Sequence, residues 1–215
     1  MPNLATYLKF FEQHWRNFQQ QYHLDPTQAQ RIYAVLEQAY TEPQRAYHSV
    51  QHIVECLDLL TRVQDQLQDA CAVQWAIWFH DVIYDAQATD NEYQSAVLMR
   101  QQCAEILSHR QCDKVAHWIE ATQHHQPSQD QDLNFLLDID LAILASPTMR
   151  FAEYEQQIRQ EYAWVADEIY THKRAEVLRH FYQATPLYQT EYFQQQFEAS
   201  AKQNLAQALQ PKRSR

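Results

Sequence analysis

Apolar side chains recur at helical spacing along most of this sequence. Over residues 4–22 they stand three or four positions apart, which places them on one face of an amphipathic helix. Asp25-Pro26 then predicts the N-cap and first residue of a second helix running to about Tyr40, because proline at a first helical position loses no hydrogen bond. Thr41-Glu42-Pro43 repeats this start signal and predicts a third helix.

The segment from residue 69 to residue 84 has a different pattern. It is apolar nearly all round, which predicts a buried central helix, and residues 132–145 form a second buried segment. Further helices are predicted over residues 90–108, 111–124, 148–183 with a break near Thr171, and 189–209. Since there is no internal repeat and no long linker, the pattern predicts one all-α domain over residues 1–215, a bundle of about 8–10 helices.

The chain of 215 residues contains no glycine, against roughly 15 expected at average usage. This absence excludes the phosphate-binding P-loop, the dinucleotide-binding fingerprint and the nucleophile elbow, which all require glycine backbone. It also excludes two-residue β-hairpins of the Asn-Gly type. If this protein handles phosphate, side chains and a bound metal must therefore contact it.

Charge and composition limit the classes of partner that we expect this protein to bind. The net charge of −10 would repel nucleic acid, and the one basic run, residues 212–215, is expected to be a solvated tail. No apolar run reaches about 18 residues, and the N-terminus lacks a signal-peptide pattern. The four cysteines form no C-x-x-C pair, so we expect reduced thiols in the core. The sequence thus predicts a cytoplasmic protein without nucleic-acid or membrane partners, and leaves open a monomer or a homo-oligomer.

Ionisable residues interrupt the two buried segments. His80-Asp81 follows the apolar run that ends at Phe79, and Asp138 and Asp140 lie within residues 133–144. A buried carboxylate is costly unless it is paired or bound to a metal. For each segment alone a structural role is the simpler interpretation, such as helix capping by Asp140 or a hydrogen-bonded core histidine at position 80.

A further pair of histidines changes that interpretation. His48 and His52 stand four residues apart, so on the predicted third helix they share one face. Separate helices then offer two histidines, the His80-Asp81 pair, and one of the two later aspartates. Such a set suits a divalent metal with mixed nitrogen and oxygen ligands, and it accepts Mn, Fe, Co, Ni, Zn or Mg alike.

The order His52, His80-Asp81, Asp140 resembles the H…HD…D signature of the HD superfamily of metal-dependent phosphohydrolases, which are all-α proteins. The match covers residues 45–144, and a resemblance to a bacterial group of predicted HD-type phosphohydrolases extends it over most of the chain. The shared features are residues 45–48 (RAYH), 90–96 (DNEYQSA), 121–125 (ATQHH) and 158–162 (IRQEY). The resemblance implies an HD-domain-like bundle with a metal-site core at about 45–144, on which helices from 148–209 pack. It also implies four ligands of a divalent metal, namely His52, His80, Asp81 and Asp140.

Asp138 and Asp140 compete for the last ligand position. Residues 140–143 (DLAI) resemble the DLSAI of cyclic-nucleotide phosphodiesterases. That match favours Asp140 and leaves Asp138 with a supporting or structural role.

Two related branches of the family imply catalytic roles. Residues 47–52 (YHSVQH) resemble the YHNxxH of those phosphodiesterases, in which the first histidine protonates the leaving oxygen, so His48 is a candidate general acid. Residues 80–85 (HDVIYD) resemble the HDVVED of stringent-response alarmone hydrolases, with Tyr84 in place of an acidic residue. This match implies that Asp85 orients water or a second ion, and the alternative is a loop carboxylate. Asp81 is expected to ligate the metal and to accept a hydrogen bond from the nucleophilic water.

Four further side chains are candidates for binding substrate phosphate. Arg45 and Arg159 offer bidentate donors, and His124 and His125 stand where some HD proteins use extra histidines. The alternatives are ion-paired or surface arginines, and a solvated histidine pair at a helix end, where a protonated histidine is favourable.

Together these residues predict a metal-dependent phosphohydrolase, either a phosphomonoesterase or a phosphodiesterase, acting on a small nucleotide-like substrate through metal-activated water. The alternative is a non-catalytic HD-like module that binds a nucleotide or a partner protein. A carboxylate-bridged di-iron bundle is disfavoured, because the chain lacks Glu-x-x-His pairs.

Overall fold

A computed structural model describes residues 3–210 of the chain, so the basic run at residues 212–215 lies outside the described part. Within residues 3–210 there are eleven α-helices, two 3-10 helices and no β-strand, and the predicted all-α class is confirmed. The helices group into two compact units that divide between Ile139 and Asp140, so the organisation as one domain stays a prediction. Over the same described range, every helix is too short or too polar to cross a membrane.

The first unit contains seven α-helices and one 3-10 helix. They are α1 (Leu4–Gln21), α2 (Pro26–Tyr40), α3 (Val50–Val63), the 3-10 helix Gln64–Gln66, α4 (Ala70–Phe79), α5 (Asn91–Cys103), α6 (His109–Ala121) and α7 (Gln131–Asp140), whose last residue begins the second unit. α2 starts as predicted, since the Asp25 carboxylate accepts hydrogen bonds from two amides of its first turn. α1 packs against α3, and α6 packs against both α4 and α5.

Aromatic side chains of α1 hold α4 inside this unit. Phe11, Trp15 and Phe18 are buried on one face of α1. Trp15 meets Trp78 edge to face at 5.2 Å between ring centroids, and Phe18 meets Trp75 in the same way at 4.8 Å. Each such pair contributes about 0.5–1.5 kcal/mol beyond the burial of its surface. The all-round apolar sequence of α4 is thereby explained, and its C-terminal end is fixed in place.

α3 begins at Val50, so the predicted start near residue 43 is wrong. Residues 41–49 form a loop of turns with their own local backbone hydrogen bonds, and the residue before α3 is extended (φ −125°, ψ −177°). His48 lies in this loop. The helical face predicted for His48 and His52 together is therefore not formed, and the two rings approach each other in a different way.

Two other predicted helices are too long. α4 ends at Phe79 rather than near residue 84. In a longer helix the Trp78 carbonyl would accept a hydrogen bond from the amide four residues later, and here it accepts one from the Tyr40 hydroxyl (2.9 Å). α5 ends at Cys103 rather than near residue 108, because Ser108 instead forms a capping box at the start of α6.

The second unit contains the 3-10 helix Leu141–Ala145, α8 (Thr148–Glu161), α9 (Asp167–Gln183), α10 (Glu191–Gln196) and α11 (Glu198–Ala208). α11 packs against this 3-10 helix and against α9. The buried Asn204 amide group donates to the carbonyl oxygens of Leu144 (2.9 Å) and Ser146 (2.8 Å). The final helix predicted over residues 189–209 is divided in two at Phe197, which is the C-cap of α10 and the N-cap of α11.

The break between α8 and α9 falls at residues 162–166, so the predicted break near Thr171 is wrong. Arg159 holds this connection, donating to the carbonyl oxygens of Tyr162 (2.6 Å) and Val165 (3.1 Å) and to the carboxylate of Asp167 (2.6 Å). A guanidinium that binds two carbonyls of one turn stabilises the turn against continuing as helix.

Candidate metal centre

His52, His80 and Asp81 bring three candidate ligand atoms together where α4 ends. His52 lies in the first turn of α3, His80 is the C-cap of α4, and Asp81 follows it. The two Nε2 atoms are 3.1 Å apart, and Oδ2 of Asp81 lies 3.4 Å from that of His52 and 3.0 Å from that of His80. Both imidazoles are buried, and the Asp81 side chain is 15% exposed. This group of three could hold a metal ion.

The separations fit ligands that share one cation. Bonds from a metal such as zinc to histidine nitrogen or carboxylate oxygen are about 2.0–2.2 Å long, so neighbouring donors on one ion stand about 3.0 Å apart at a right angle and about 3.4 Å apart at a tetrahedral angle. The separations of 3.0, 3.1 and 3.4 Å among the three atoms span this range. The donors therefore need little rearrangement to bind an ion.

The protons of His52 and His80 are too few to satisfy every contact among the three donor atoms when both rings are neutral, so a cation would be favourable among them. Nδ1 of His80 is 2.9 Å from the Ile77 carbonyl oxygen, which only accepts, so in a neutral imidazole this is the nitrogen that carries the proton. Nε2 of His80 then directs a lone pair toward both Asp81 and His52. The one proton that Nε2 of His52 can offer satisfies a single one of these contacts. A second proton on His80, or a metal ion among the three atoms, removes the remaining repulsion.

Asp81 is held in its ionised form. Burial raises the pKa of its carboxyl, but attraction to His80 and His48 and the hydrogen bonds donated by His52 and by a His80 that carries the second proton outweigh burial and hold the pKa well below its usual range. An ionised carboxylate is the form that ligates a metal and accepts hydrogen bonds from water.

Cys56 contacts His52 from the next turn of α3. Its buried Sγ lies 3.7 Å from Nδ1 and 3.8 Å from Nε2 of the imidazole, so the thiol does not align with one ring nitrogen alone. The interpretation of the sequence treated Cys56 only as a core thiol. Its spacing of four residues from His52 is the signal that could have identified this contact.

His48 reaches the same region from the loop before α3. Its ring centroid is 6.2 Å from that of His52, and the ring is stacked on Tyr84 with centroids 4.0 Å apart and planes 25° apart. Both stacked side chains are half-buried. In the sequence Tyr84 was noted only as a departure from an acidic motif position, and no local signal marks it as a partner of His48.

Arg45 lies beneath the site rather than at its surface, with a side chain that is 1% exposed. Its Nε donates to the Glu42 carboxylate (2.9 Å), and its other nitrogens donate to the carbonyl oxygens of His48 (3.3 Å), Asp81 (2.5 Å) and Val82 (2.9 Å). These contacts hold backbone, so the predicted contact of Arg45 with substrate phosphate stays a prediction that its surroundings do not favour. The same holds for Arg159, which holds the turn before α9.

The remaining predicted side chains lie in loops. Asp85 is exposed, and its carboxylate accepts a hydrogen bond from the Gln87 amide (2.9 Å). His124 is exposed in the turn after α6, and the half-buried His125 beside it has a left-handed backbone (φ 48°). Their roles toward water or substrate stay predictions.

Asp138 and Asp140 both lie near the end of α7. Asp138 is 1% exposed, and Asp140 is the half-buried last residue of the helix. Residues two apart on a helix point in different directions, so one helix does not aim both carboxylates at one point. The choice of Asp140 as the fourth ligand stays a prediction.

Comparisons of the chain with protein-family models, with curated proteins and with solved structures found no match. The resemblance to the HD superfamily therefore stays an expectation from the sequence motifs. The His52, His80 and Asp81 group is described by its own geometry, as residues that could bind a metal.

Proposed function

We propose that this protein is a metal-dependent phosphohydrolase of the HD type, which hydrolyses a phosphate ester of a small, nucleotide-like substrate. The observation that carries the proposal is the convergence of His52, His80 and Asp81, with donor atoms 3.0–3.4 Å apart. These are three of the four ligands that the motif order predicts, and Asp140 is proposed as the fourth.

The chemistry divides between the ion and the protein. A divalent ion bound here supplies acidity to a water molecule and polarises a phosphoryl oxygen. Asp81, ionised because its pKa is far below the usual range, orients the attacking water through a hydrogen bond. The Ile77 carbonyl holds Nδ1–H of His80, which keeps its Nε2 directed at the site.

His48 is the proposed general acid, which gives a proton to the leaving oxygen. It is half-buried beside the ligands, so it keeps a path to a bound substrate. Stacking on Tyr84 fixes the plane of its ring, and a fixed ring delivers a proton along a defined direction. The phosphate itself must be bound by side chains, because the chain has no glycine to form a backbone cradle.

Phosphate release from a panel of nucleotide monoesters and diesters tests the proposal. The protein is loaded in turn with Mn, Co, Zn and Mg, its metal content is measured by mass spectrometry, and each assay is repeated with EDTA. The variant Asp81→Asn removes the charge at the site. Asp58→Asn is the matched control, because Asp58 lies on α3 in an exposed pair with His14 (2.9 Å).

We expect activity in the loaded protein and in Asp58→Asn, and its loss with EDTA and in Asp81→Asn. Activity that survives both EDTA and Asp81→Asn would overturn the proposal. A protein that takes up none of the metals and releases no phosphate would instead support the non-catalytic helical module.

A further inference from the structure

Side chains as well as backbone amides bind the carbonyls at the C-terminal end of α4, where the Val82 amide donates to the Phe79 carbonyl (3.1 Å). A helix leaves its last carbonyl groups without amide partners, and a cap must supply other donors. Here the Trp78 carbonyl accepts from the Tyr40 hydroxyl (2.9 Å), and the Ile77 carbonyl accepts from the His80 ring (2.9 Å). In the turn that follows, the carbonyls of Asp81 and Val82 both accept from Arg45.

Arg45 is itself fixed on several sides. The Glu42 carboxylate binds its Nε, and its Cζ lies 5.4 Å from the ring centroid of Tyr40 and 5.7 Å from that of Tyr84. With 1% of its side chain exposed, the guanidinium is shielded from solvent. Its positive charge also lies at the negative end of the α4 dipole.

One guanidinium thus joins the two backbone segments that carry the proposed chemistry. It donates to the carbonyl of His48 (3.3 Å) in the loop before α3 and to the carbonyls of Asp81 (2.5 Å) and Val82 (2.9 Å) after α4. A lysine has a single ammonium group and cannot reach these carbonyls and a carboxylate with the same planar fork.

From these contacts we infer that Arg45 is a positioning residue, which binds the turn after α4 and holds His80, Asp81 and the His48 loop in the geometry that metal binding requires. The inference rests on the proposed metal site. It replaces phosphate binding as the role of Arg45, because every nitrogen of the guanidinium contacts the protein.

Metal affinity and histidine NMR of Arg45→Lys test the inference. Arg174→Lys is the matched control, because Arg174 lies in the second unit with a largely buried side chain (13% exposed), an ion pair to Glu155 (2.5 Å) and the Tyr154 ring 5.0 Å away. Zn affinity is measured by competition with a chromogenic chelator, at a temperature where circular dichroism shows each variant to be folded. We expect Arg45→Lys to bind Zn about 10–100-fold more weakly, as for losses of residues that support ligands, and Arg174→Lys to stay within about twofold of wild type.

The NMR measurement needs no metal and separates positioning from stability. In protein labelled with ¹⁵N-histidine, the Nδ1–H signal of His80 reports its bond to the Ile77 carbonyl, and it is assigned by its absence in His80→Gln. We expect this signal to be lost or broadened in Arg45→Lys and kept in Arg174→Lys. If Arg45→Lys does not fold, Glu42→Gln takes its place, since it loosens Arg45 without removing it, and a weaker Zn affinity is again expected.

Each outcome decides one of the two proposals. The positioning role is overturned if Arg45→Lys keeps the wild-type Zn affinity and an unchanged His80 signal, and the proposed metal site is then unaffected. The same outcome in Glu42→Gln has the same meaning where that variant replaces Arg45→Lys. A wild-type protein that binds no metal overturns the proposed function, and the His80 signal alone then decides whether Arg45 positions this turn.

Discussion

His23 holds a backbone conformation that glycine usually supplies, and replacing it is a direct test of how this chain manages without glycine. The residue follows α1 with φ 52°, in the left-handed region. The Leu24 amide donates to the Gln19 carbonyl (3.0 Å), and the His23 amide donates to the Gln20 carbonyl (3.4 Å). This pair of bonds is the Schellman motif, whose left-handed position is most often glycine because a Cβ atom is unfavourable there.

The stability change in His23→Gly follows from two opposing effects. A left-handed conformation costs an L-residue about 1–2 kcal/mol, and glycine loses about 0.5–1 kcal/mol more than alanine in backbone entropy on folding. The His23 side chain is exposed, so its removal loses little packing. We therefore expect His23→Gly to stabilise the protein by about 0.5–1 kcal/mol, which corresponds to a rise in Tm of about 1–4 °C at this chain length.

Urea unfolding followed by circular dichroism, with thermal scans alongside, measures this difference. The control is Gln20→Gly in the last turn of α1, which is expected to cost about 1 kcal/mol because glycine is a poor helix residue. If His23→Gly is less stable than wild type, the left-handed strain is not what limits this position, and the reasoning fails.

Three other predictions concern the site and the thiols. His125 also has a left-handed backbone (φ 48°), so His125→Gly is expected to raise the Tm. If the side chain binds substrate phosphate, the same variant lowers phosphate release at low substrate concentration about tenfold, and unchanged release refutes that contact. Burial, assisted by the nearby Asp69 carboxylate, raises the pKa of the Cys71 thiol to about 11, above that of an ordinary thiol. Iodoacetamide should therefore modify Cys71 about 100-fold more slowly at pH 8 than an ordinary cysteine. The rate should rise with pH up to about 11 and should reach the ordinary value in urea. Peptide mass spectrometry measures the rate, and an ordinary rate in the folded protein contradicts this prediction. Asp140→Asn is expected to weaken Zn binding by at least about 100-fold and Asp138→Asn by no more than about tenfold, and the opposite order in a chelator competition would make Asp138 the ligand.

Helix starts were predictable where the capping residues act locally. Asp25-Pro26 caps α2 through its own side chain and its own fixed φ, so nothing distant is needed. The similar signal at Thr41-Glu42-Pro43 misled, because the loop that follows it is bound to the end of α4 through Arg45, 36 residues from its partner Asp81. A contact of that range leaves no trace in local spacing.

The candidate site was likewise predictable in part, and the features set by tertiary packing were not. The approach of His52, His80 and Asp81 agrees with the motif order, and His80 and Asp81 lie at the end of α4, which the apolar pattern marks as buried. The stack of Tyr84 on His48 was not predictable, since it depends on ring orientations set by tertiary packing. Nor did the sequence mark the left-handed residues, because it has no glycine to point to them.

The Arg45 contact has a consequence for the order in which this part of the chain folds. Its partners are distant in sequence, so the loop from α2 to the end of α4 must close before the guanidinium can reach the carbonyls of Asp81 and Val82. A chain starting at α3 would keep His52, His80 and Asp81 yet lack both Tyr40 and Arg45. The positioning role proposed for Arg45 therefore makes the ligand geometry depend on the closure of this long loop.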